Sequence, residues 1–338
     1  MRIMGRPRAL IAVVAGAFLL SGCGAGPSQV GAAAIIDGQV TSIDQVQGLL
    51  DKAVQEQPYA KQLAAQHKLD LVGREIVRQQ LLHAVVLKAA AKEKVTADQD
   101  AIGAAMLQDP LAGPLPQAAT QNQDSAVTQL VWRVRDHREA LTDQYLEQKL
   151  AIKYLPTLTV GFDYTTVGAP SADGTAPSTD PATARADAIA KARQFAADPK
   201  AVQGEIQNGA QAGVEGNVGT QVPALSSPQD ATTVLFGVPA NTVIAFQPNA
   251  ASNPTWVVAV VRQRATDKPV ATDQAQQPTP DQLGGIGIRL LQPYVGDVDY
   301  RINPRYGVWD SVGMDLAPNA NATKGLVLPL QGAAPAQQ

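Results

Sequence analysis

The pattern of apolar and polar residues changes near Leu155. Before that position, apolar residues recur every three to four positions, which is typical of amphipathic helices. The pattern predicts a helix from Ile43, a stronger one over 71–94, a third from Gln99, and a long one over 124–154. The first half of the chain is therefore predicted to be helical.

Two local signals locate the beginnings of helices. Residues 32–40 form an apolar run that enters an Asp-Gly turn, a sequence that favours a β-hairpin, and Thr41 or Ser42 can cap the helix that follows. Residues 95–99 predict a capping box at the start of the third helix.

The second half combines short strand patterns with helical ones. Runs of β-branched and aromatic residues indicate strands, and alanine-rich sequence indicates a helix. The predicted elements are a strand over 160–167, a helix over 182–197, a segment over 243–246, a strand over 256–262, a polar linker over 266–280, a helix over 283–291 and a strand-like stretch over 300–309.

The N-terminus carries the only cysteine, Cys23. Three arginines precede an apolar stretch over 9–20 that is too short to span a bilayer, and small residues follow, which predicts a secretory signal. The sequence Leu20-Ser21-Gly22-Cys23 resembles the bacterial lipobox. That resemblance implies cleavage before Cys23, a diacylglyceryl group on its thiol, and often a further acyl chain such as palmitate on the new amino terminus. Two or three chains anchor a protein stably.

Composition excludes several classes of protein. The net charge is −3 and 17% of residues are charged, so no basic patch favours nucleic acid. A single cysteine leaves no disulfide framework and no thiolate metal site. Beyond the leader, no apolar run is long enough for a second membrane span. We expect a body that is tethered to the membrane, with a core stabilised by packing alone.

Residues 34–46 resemble the beginning of SurA/PrsA-type chaperones, in which an apolar strand, an Asn/Asp-Gly turn and a capped helix open the domain. The sequence Asn303-Pro304-Arg305-Tyr306-Gly307, with Trp309, is similar to the ending of actinobacterial SurA-like lipoproteins. The resemblance implies an α+β fold. A mainly helical SurA-like N-terminal domain would be completed by a C-terminal segment and would carry an inserted, degenerate parvulin-like α/β domain.

These expectations divide the chain into seven parts. They are a signal peptide (1–22), a tether (23–31), a helical SurA-like chaperone domain (32–155), a parvulin-like insertion (156–265), a linker (266–282), a C-terminal segment that packs on the N-terminal domain (283–316) and a disordered tail (317–338).

The insertion departs from the parvulin pattern at its chemistry. Parvulin isomerases carry histidines on their opening and closing strands, whereas the three histidines here are His67, His83 and His137, all in the helical half. The corresponding positions hold Phe162 or Tyr164 and Thr255 or Trp256. We therefore expect no catalytic residue, no cofactor and no metal ligand, and we interpret His83 as a partly buried helix residue.

The most consistent function is that of a membrane-anchored extracytoplasmic chaperone that holds unfolded or exported polypeptides in an apolar crevice between helices. Trp132 and Tyr145 are the candidate peptide-binding residues, with packing in the core as the alternative role. The partners are then the bilayer, through Cys23, and exported chains. An envelope scaffold lipoprotein, a solute-binding lipoprotein and an active prolyl isomerase stay open as alternatives, as does the oligomeric state.

Overall fold

The computed structural model describes residues 31–168, 180–248, 255–269 and 275–332. It is a mixed α/β protein, consistent with the predicted α+β class. The helices are α1 (Ile43–Glu56), α2 (Pro58–Ala65), α3 (Leu69–Glu93), α4 (Gln99–Gln108), α5 (Gln123–Val134), α6 (His137–Tyr154), α7 (Pro181–Ala197), α8 (Val202–Gln211), α9 (Val234–Gly237) and α10 (Pro280–Leu291). The strands are β1 (Ala32–Ile36), β2 (Gln39–Ser42), β3 (Thr159–Val167), β4 (Gly216–Pro223), β5 (Thr242–Phe246), β6 (Trp256–Ala265), β7 (Tyr300–Ile302), β8 (Val308–Asp310), β9 (Asp315–Ala317) and β10 (Gly325–Pro329).

The opening hairpin forms as predicted. Asp37 and Gly38 take the positive φ angles that a tight hairpin turn requires, and β1 pairs antiparallel with β2. Ser42 then caps α1 in a capping box with Gln45. The other edge of β1 pairs with β7, so a strand from the far end of the chain completes this three-stranded sheet.

The helix that was predicted over 124–154 is two helices, α5 and α6. The two helices are separated at Asp136, because its side chain accepts a hydrogen bond of 2.8 Å from the Glu139 amide and so caps the beginning of α6. Lys52 donates to the Val134 carbonyl at the end of α5, which satisfies one of the groups that the break exposes. The capping box predicted at 95–99 is also absent, since the side chain of Asp98 alone caps α4.

A five-stranded antiparallel sheet, in the order β10-β5-β6-β3-β4, makes up most of the second half. On one face, Phe195 of α7 and Ile206 of α8 pack with Val258 and Val260. The opposite face joins the hydrophobic core of the helical body. The sheet is therefore covered on both sides, by its own helices and by the first half of the chain.

Two predicted boundaries are wrong. The tail that was predicted to be disordered over 317–338 contains β10, which pairs with β5 along its whole length, and Leu330 continues into the core beneath α7. The linker predicted over 266–282 ends before Pro280, because Thr279 caps α10 in a capping box with Gln282. Backbone pairing with residues far along the chain decides the first boundary, and a local cap decides the second.

The C-terminal segment contacts both halves of the protein. Helix α10 packs along α6, and its Gly287 lies so close to the backbone of Glu147 that no side chain fits between the two helices. The hairpin of β8 and β9 then follows. Cys23, the predicted signal peptide, residues 23–30 of the predicted tether and residues 333–338 lie outside the described residues. Within the described part, no helix combines the length and the apolar character needed to cross a membrane.

Candidate functional site

Trp132 and Tyr145 differ from every other aromatic residue that the structure describes, because they belong to neither hydrophobic cluster. Both are half-buried. The core therefore does not use either ring, although aromatic residues make up only 4% of the chain. Tyr145 lies beside Lys149, with the ammonium 5.2 Å from the ring centroid, whereas Trp132 lines a crevice.

The crevice has a volume of about 510 Å³ and lies between α5, α6 and α10, with Arg78 of α3 reaching into it. The structure does not bring Tyr145 into it. Apart from Trp132, its lining residues are Arg78, Ser125, Thr128, Gln129, Gln144, Glu147, Gln148, Pro280, Asp281, Gly284, Gly285 and Ile288. Most of these residues are polar by type, but their aliphatic carbons, together with Trp132, Pro280 and Ile288, give the crevice more apolar than polar surface.

A network of buried charged groups lies behind the crevice. The guanidinium of Arg135 donates to Asp143 at 2.9 Å, to Glu139, and to Gln79 at 3.3 Å. Arg78 donates to Glu75 at 2.8 Å and to the Met314 carbonyl at 2.8 Å. Because these charges are buried and paired, each depends on its partner for stability.

Glu147 faces the crevice from α6 and is 7% exposed. No side chain or backbone group in the described part of the chain donates a hydrogen bond to its carboxyl. Burial, with the negative charge of Asp143, raises its pKa to about 8, against the attraction of Arg78 and Arg135. At pH 7 this group is therefore mostly protonated, and a protonated carboxyl can both donate and accept a hydrogen bond.

A second group of titratable side chains, His83, Glu139 and Asp143, offers ligand atoms within 4.8 Å of one another. Arg135 already donates to both carboxylates, and His83 Nδ1 lies 2.7 Å from Asp143 Oδ1. That hydrogen bond raises the pKa of His83. A cation is thus already bound to these oxygens, and the arrangement is explained as an ion-pair network.

The positions at which the parvulin resemblance led us to look for histidines are packing positions. Phe162 and Tyr164 lie against the core of the helical body, with ring centroids 5.8 Å apart. Trp256 packs on the opposite face with α7, below Arg185, and Thr255 is buried. Strands β3 and β6 are neighbours, but these side chains do not converge, and no histidine follows His137. These four side chains fill space in and beside the two hydrophobic cores, and they contain no acid–base pair that could act on a substrate.

Sequence reasoning selected Trp132 and missed Glu147. A signal for Glu147 was present: Asp143, Glu147 and Leu150 follow one another at helical spacing, which puts carboxylates on the apolar side of α6. The wall that α10 provides carried no such signal, because it comes from more than a hundred residues further along the chain.

The pKa of Glu147 predicts how stability depends on pH. Between its ordinary value of 4.5 and about 8, the folded carboxyl keeps a proton that the unfolded one loses, so the free energy of unfolding falls as pH rises. Glu147→Gln removes this dependence and should be more stable than the natural protein at pH 8 by about 2–4 kcal/mol, with little difference near pH 4.5.

Urea unfolding at several pH values would measure this difference. The raised pKa of His83 also makes the free energy of unfolding fall as pH rises. The Glu147→Gln curve is therefore compared with the curve of the natural protein, and neither is expected to be flat. Glu56→Gln, at an exposed position on α1, is the control and should leave the curve unchanged. A Glu147→Gln curve parallel to that of the natural protein would contradict the assignment.

The chain was compared with models of protein families, with curated proteins and with solved structures, and none of the three comparisons finds a match. The function of the crevice is therefore inferred from its own geometry and chemistry.

Proposed function

We propose that the protein is a membrane-anchored extracytoplasmic chaperone that holds unfolded segments of exported polypeptides in the crevice between α5, α6 and α10. The observation that carries the proposal is Trp132, an aromatic ring that the core leaves unused and that lines this crevice. Tryptophan is among the residue types that most often contribute a large share of the binding energy at protein interfaces.

The rest of the lining suits a main chain better than a particular side chain. Gln129, Gln144 and Gln148 each carry an amide that can pair with a peptide N–H or C=O group, and neutral Glu147 can do the same. Gly284 leaves room on the α10 wall, since a Cβ there would meet nothing within 4 Å. Polar groups that contact only the backbone are indifferent to client sequence, which is the property a holding chaperone needs.

The arrangement of the chain is compatible with a SurA-like architecture. The hairpin of β1 and β2 leads directly into the capped helix α1, and β7 and α10 return to the helical body. The sheet that contains β3 to β6 would be the degenerate parvulin-like insertion. Because the side chains at its expected histidine positions are packed apart, we propose that it has no isomerase activity.

The test is suppression of client aggregation by a soluble form that begins at Gly24. We expect this form to keep a reduced, unfolded client in solution, and Trp132→Ala to bind the client roughly tenfold more weakly because an anchor ring is lost. Leu107→Ala is the matched control, since Leu107 is 89% exposed on α4 and lies outside the crevice. Proline isomerisation of a model peptide should stay at background.

Failure to suppress aggregation at molar excess would exclude a holding function, and equal effects of the two substitutions would exclude the crevice as its site. Cell fractionation tests the anchor: Cys23→Ser should leave the membrane fraction. Crosslinking in intact cells separates the scaffold alternative, since a single stoichiometric partner would indicate a scaffold and a range of exported proteins a chaperone.

A further inference from the structure

A second cavity, of about 280 Å³, lies where α3, α6, β6 and the end of α10 meet, and its lining does not overlap the crevice. We call it the Arg264 cavity. Its lining residues are Lys92, Glu93, Leu150, Tyr154, Pro239, Ala240, Arg264, Thr266, Leu290, Pro293 and Tyr294. Most of this surface is aliphatic, proline or aromatic, and cationic groups are set into it.

Arg264 forms no ion pair within the described residues, although the negative charge of Glu93 favours its protonated form. Its Nε donates to the Phe236 carbonyl at 3.0 Å, which fixes the plane of the guanidinium. In the described part of the chain, no carboxylate lies within ion-pair distance of it, whereas the neighbouring Arg262 pairs with Asp163 at 2.8 Å. Burial lowers the pKa of Arg264, yet an arginine stays protonated in proteins. The cavity thus contains a partly desolvated positive charge.

Glu93, the acidic residue of the cavity lining, already accepts hydrogen bonds from three side chains. Lys153 donates to it at 2.6 Å, and the hydroxyls of Tyr154 and Tyr294 donate as well. Burial raises the pKa of Glu93, but these hydrogen bonds outweigh it and hold the pKa at about 2. Lys92 lies 3.6 Å from Asp297. In and beside the cavity, the described residues thus form two ion pairs, Lys153 with Glu93 and Lys92 with Asp297, and neither pair includes Arg264.

We propose that the Arg264 cavity binds a carboxylate that carries an apolar group. The planar guanidinium matches a carboxylate in geometry, and the fixed plane favours two parallel hydrogen bonds. The apolar group would lie against Leu150, Leu290 and the prolines. A single charge in apolar surroundings favours a monoanion, because a doubly charged phosphate would leave a buried charge unpaired.

This chemistry has two sources: the C-terminal residue of a polypeptide, or a free carboxylic acid. Isothermal titration calorimetry of the full chain with three probes separates them. The probes are N-acetyl-Ala-Ala-Leu with a free carboxylate, the same peptide as its amide, and 4-methylpentanoate. We expect the peptide acid to bind at least roughly tenfold more tightly than the amide, the effect of one charge-assisted hydrogen-bonded pair.

The relative affinity of the peptide acid and 4-methylpentanoate identifies the source. Arg264→Gln should weaken the tighter acid roughly tenfold, whereas Arg301→Gln, at an exposed position, and Trp132→Ala, in the crevice, should not. Measurable and equal binding of peptide acid and amide to the unaltered protein, or no binding of either acid, would overturn the proposal whether or not Arg264→Gln folds, whereas binding of 4-methylpentanoate alone would identify a free acid as the ligand. The client-binding assay with Trp132→Ala tests the crevice separately, so a negative result at the Arg264 cavity would not contradict the proposed function.

Discussion

Arg135→Met should lower the free energy of unfolding by about 3–5 kcal/mol at pH 7, the range observed when one partner of a buried ion pair is removed. The side chain of Arg135 is 4% exposed, and that of Asp143 is 9% exposed. Without the guanidinium, Asp143 and Glu139 lose their shared cation. Glu147, which lies nearby, also loses an attraction that opposes the rise of its pKa.

Urea or thermal unfolding measures this loss, and Arg138→Met is the matched control. Arg138 lies on the same helix but is exposed, so its substitution should change stability by less than about 0.5 kcal/mol. The deficit of Arg135→Met should shrink at low pH, because protonated acids no longer need a counter-ion. Equal stability of the two variants would mean that the network behind the crevice does not hold α5, α6 and α3 together.

Gly287→Ala should destabilise the protein by roughly 2–3 kcal/mol, because an added methyl group has no space. Its Cβ would lie 2.9 Å from Glu147 Cα and closer still to the carbonyl of the same residue. Both neighbours belong to backbone, so relief requires α10 to move away from α6. The substitution therefore measures how far the C-terminal segment stabilises the helical body.

Gly284→Ala, one turn earlier on α10, serves as the control. Its Cβ would meet nothing within 4 Å, and alanine is the better helix former by up to about 1 kcal/mol. We expect this variant to be as stable as the natural protein or slightly more stable, with chemical denaturation as the readout for both. A destabilisation of similar size in the two variants would show that helix propensity, and not the contact with α6, explains the effect.

The elements that sequence predicted best are those determined by neighbouring residues. The Asp37-Gly38 turn, the Ser42 cap and the apolar spacing of α3 are all local, and the structure confirms each of them. The break between α5 and α6 was missed although a signal existed. Asp136 precedes Glu139 by three residues, the spacing of a capping box, but neither proline nor glycine marks the position.

Strands β4 and β10 could not be predicted from their own residues. Strand β4 contains Gly216 and Gly219, residues that weaken a strand, and it exists because it pairs with β3. Strand β10 follows a stretch of small and polar residues and exists because the edge of β5 is open to it. In both cases a long-range backbone partner overrides weak local preference.

The same limit applies to the candidate sites. Trp132 could be selected because an aromatic ring on a helix is visible in the sequence, whereas the chemistry around it depends on α10. Arg264 carried no signal, since arginines are common at strand ends. It becomes a candidate site only in the folded protein, where Leu290 and Tyr294 line the same cavity and no described carboxylate forms an ion pair with it.

The pairing of β1 with β7 sets the order in which the protein can assemble. Ala34 of β1 pairs with Ile302 of β7. During synthesis, one edge of β1 therefore stays unpaired until β7 has been made. Contacts this distant in sequence slow folding and leave strand edges available to other chains in the meantime. Premature termination anywhere before Tyr300 would leave the helical body with an open sheet, and such fragments should be substrates for proteases.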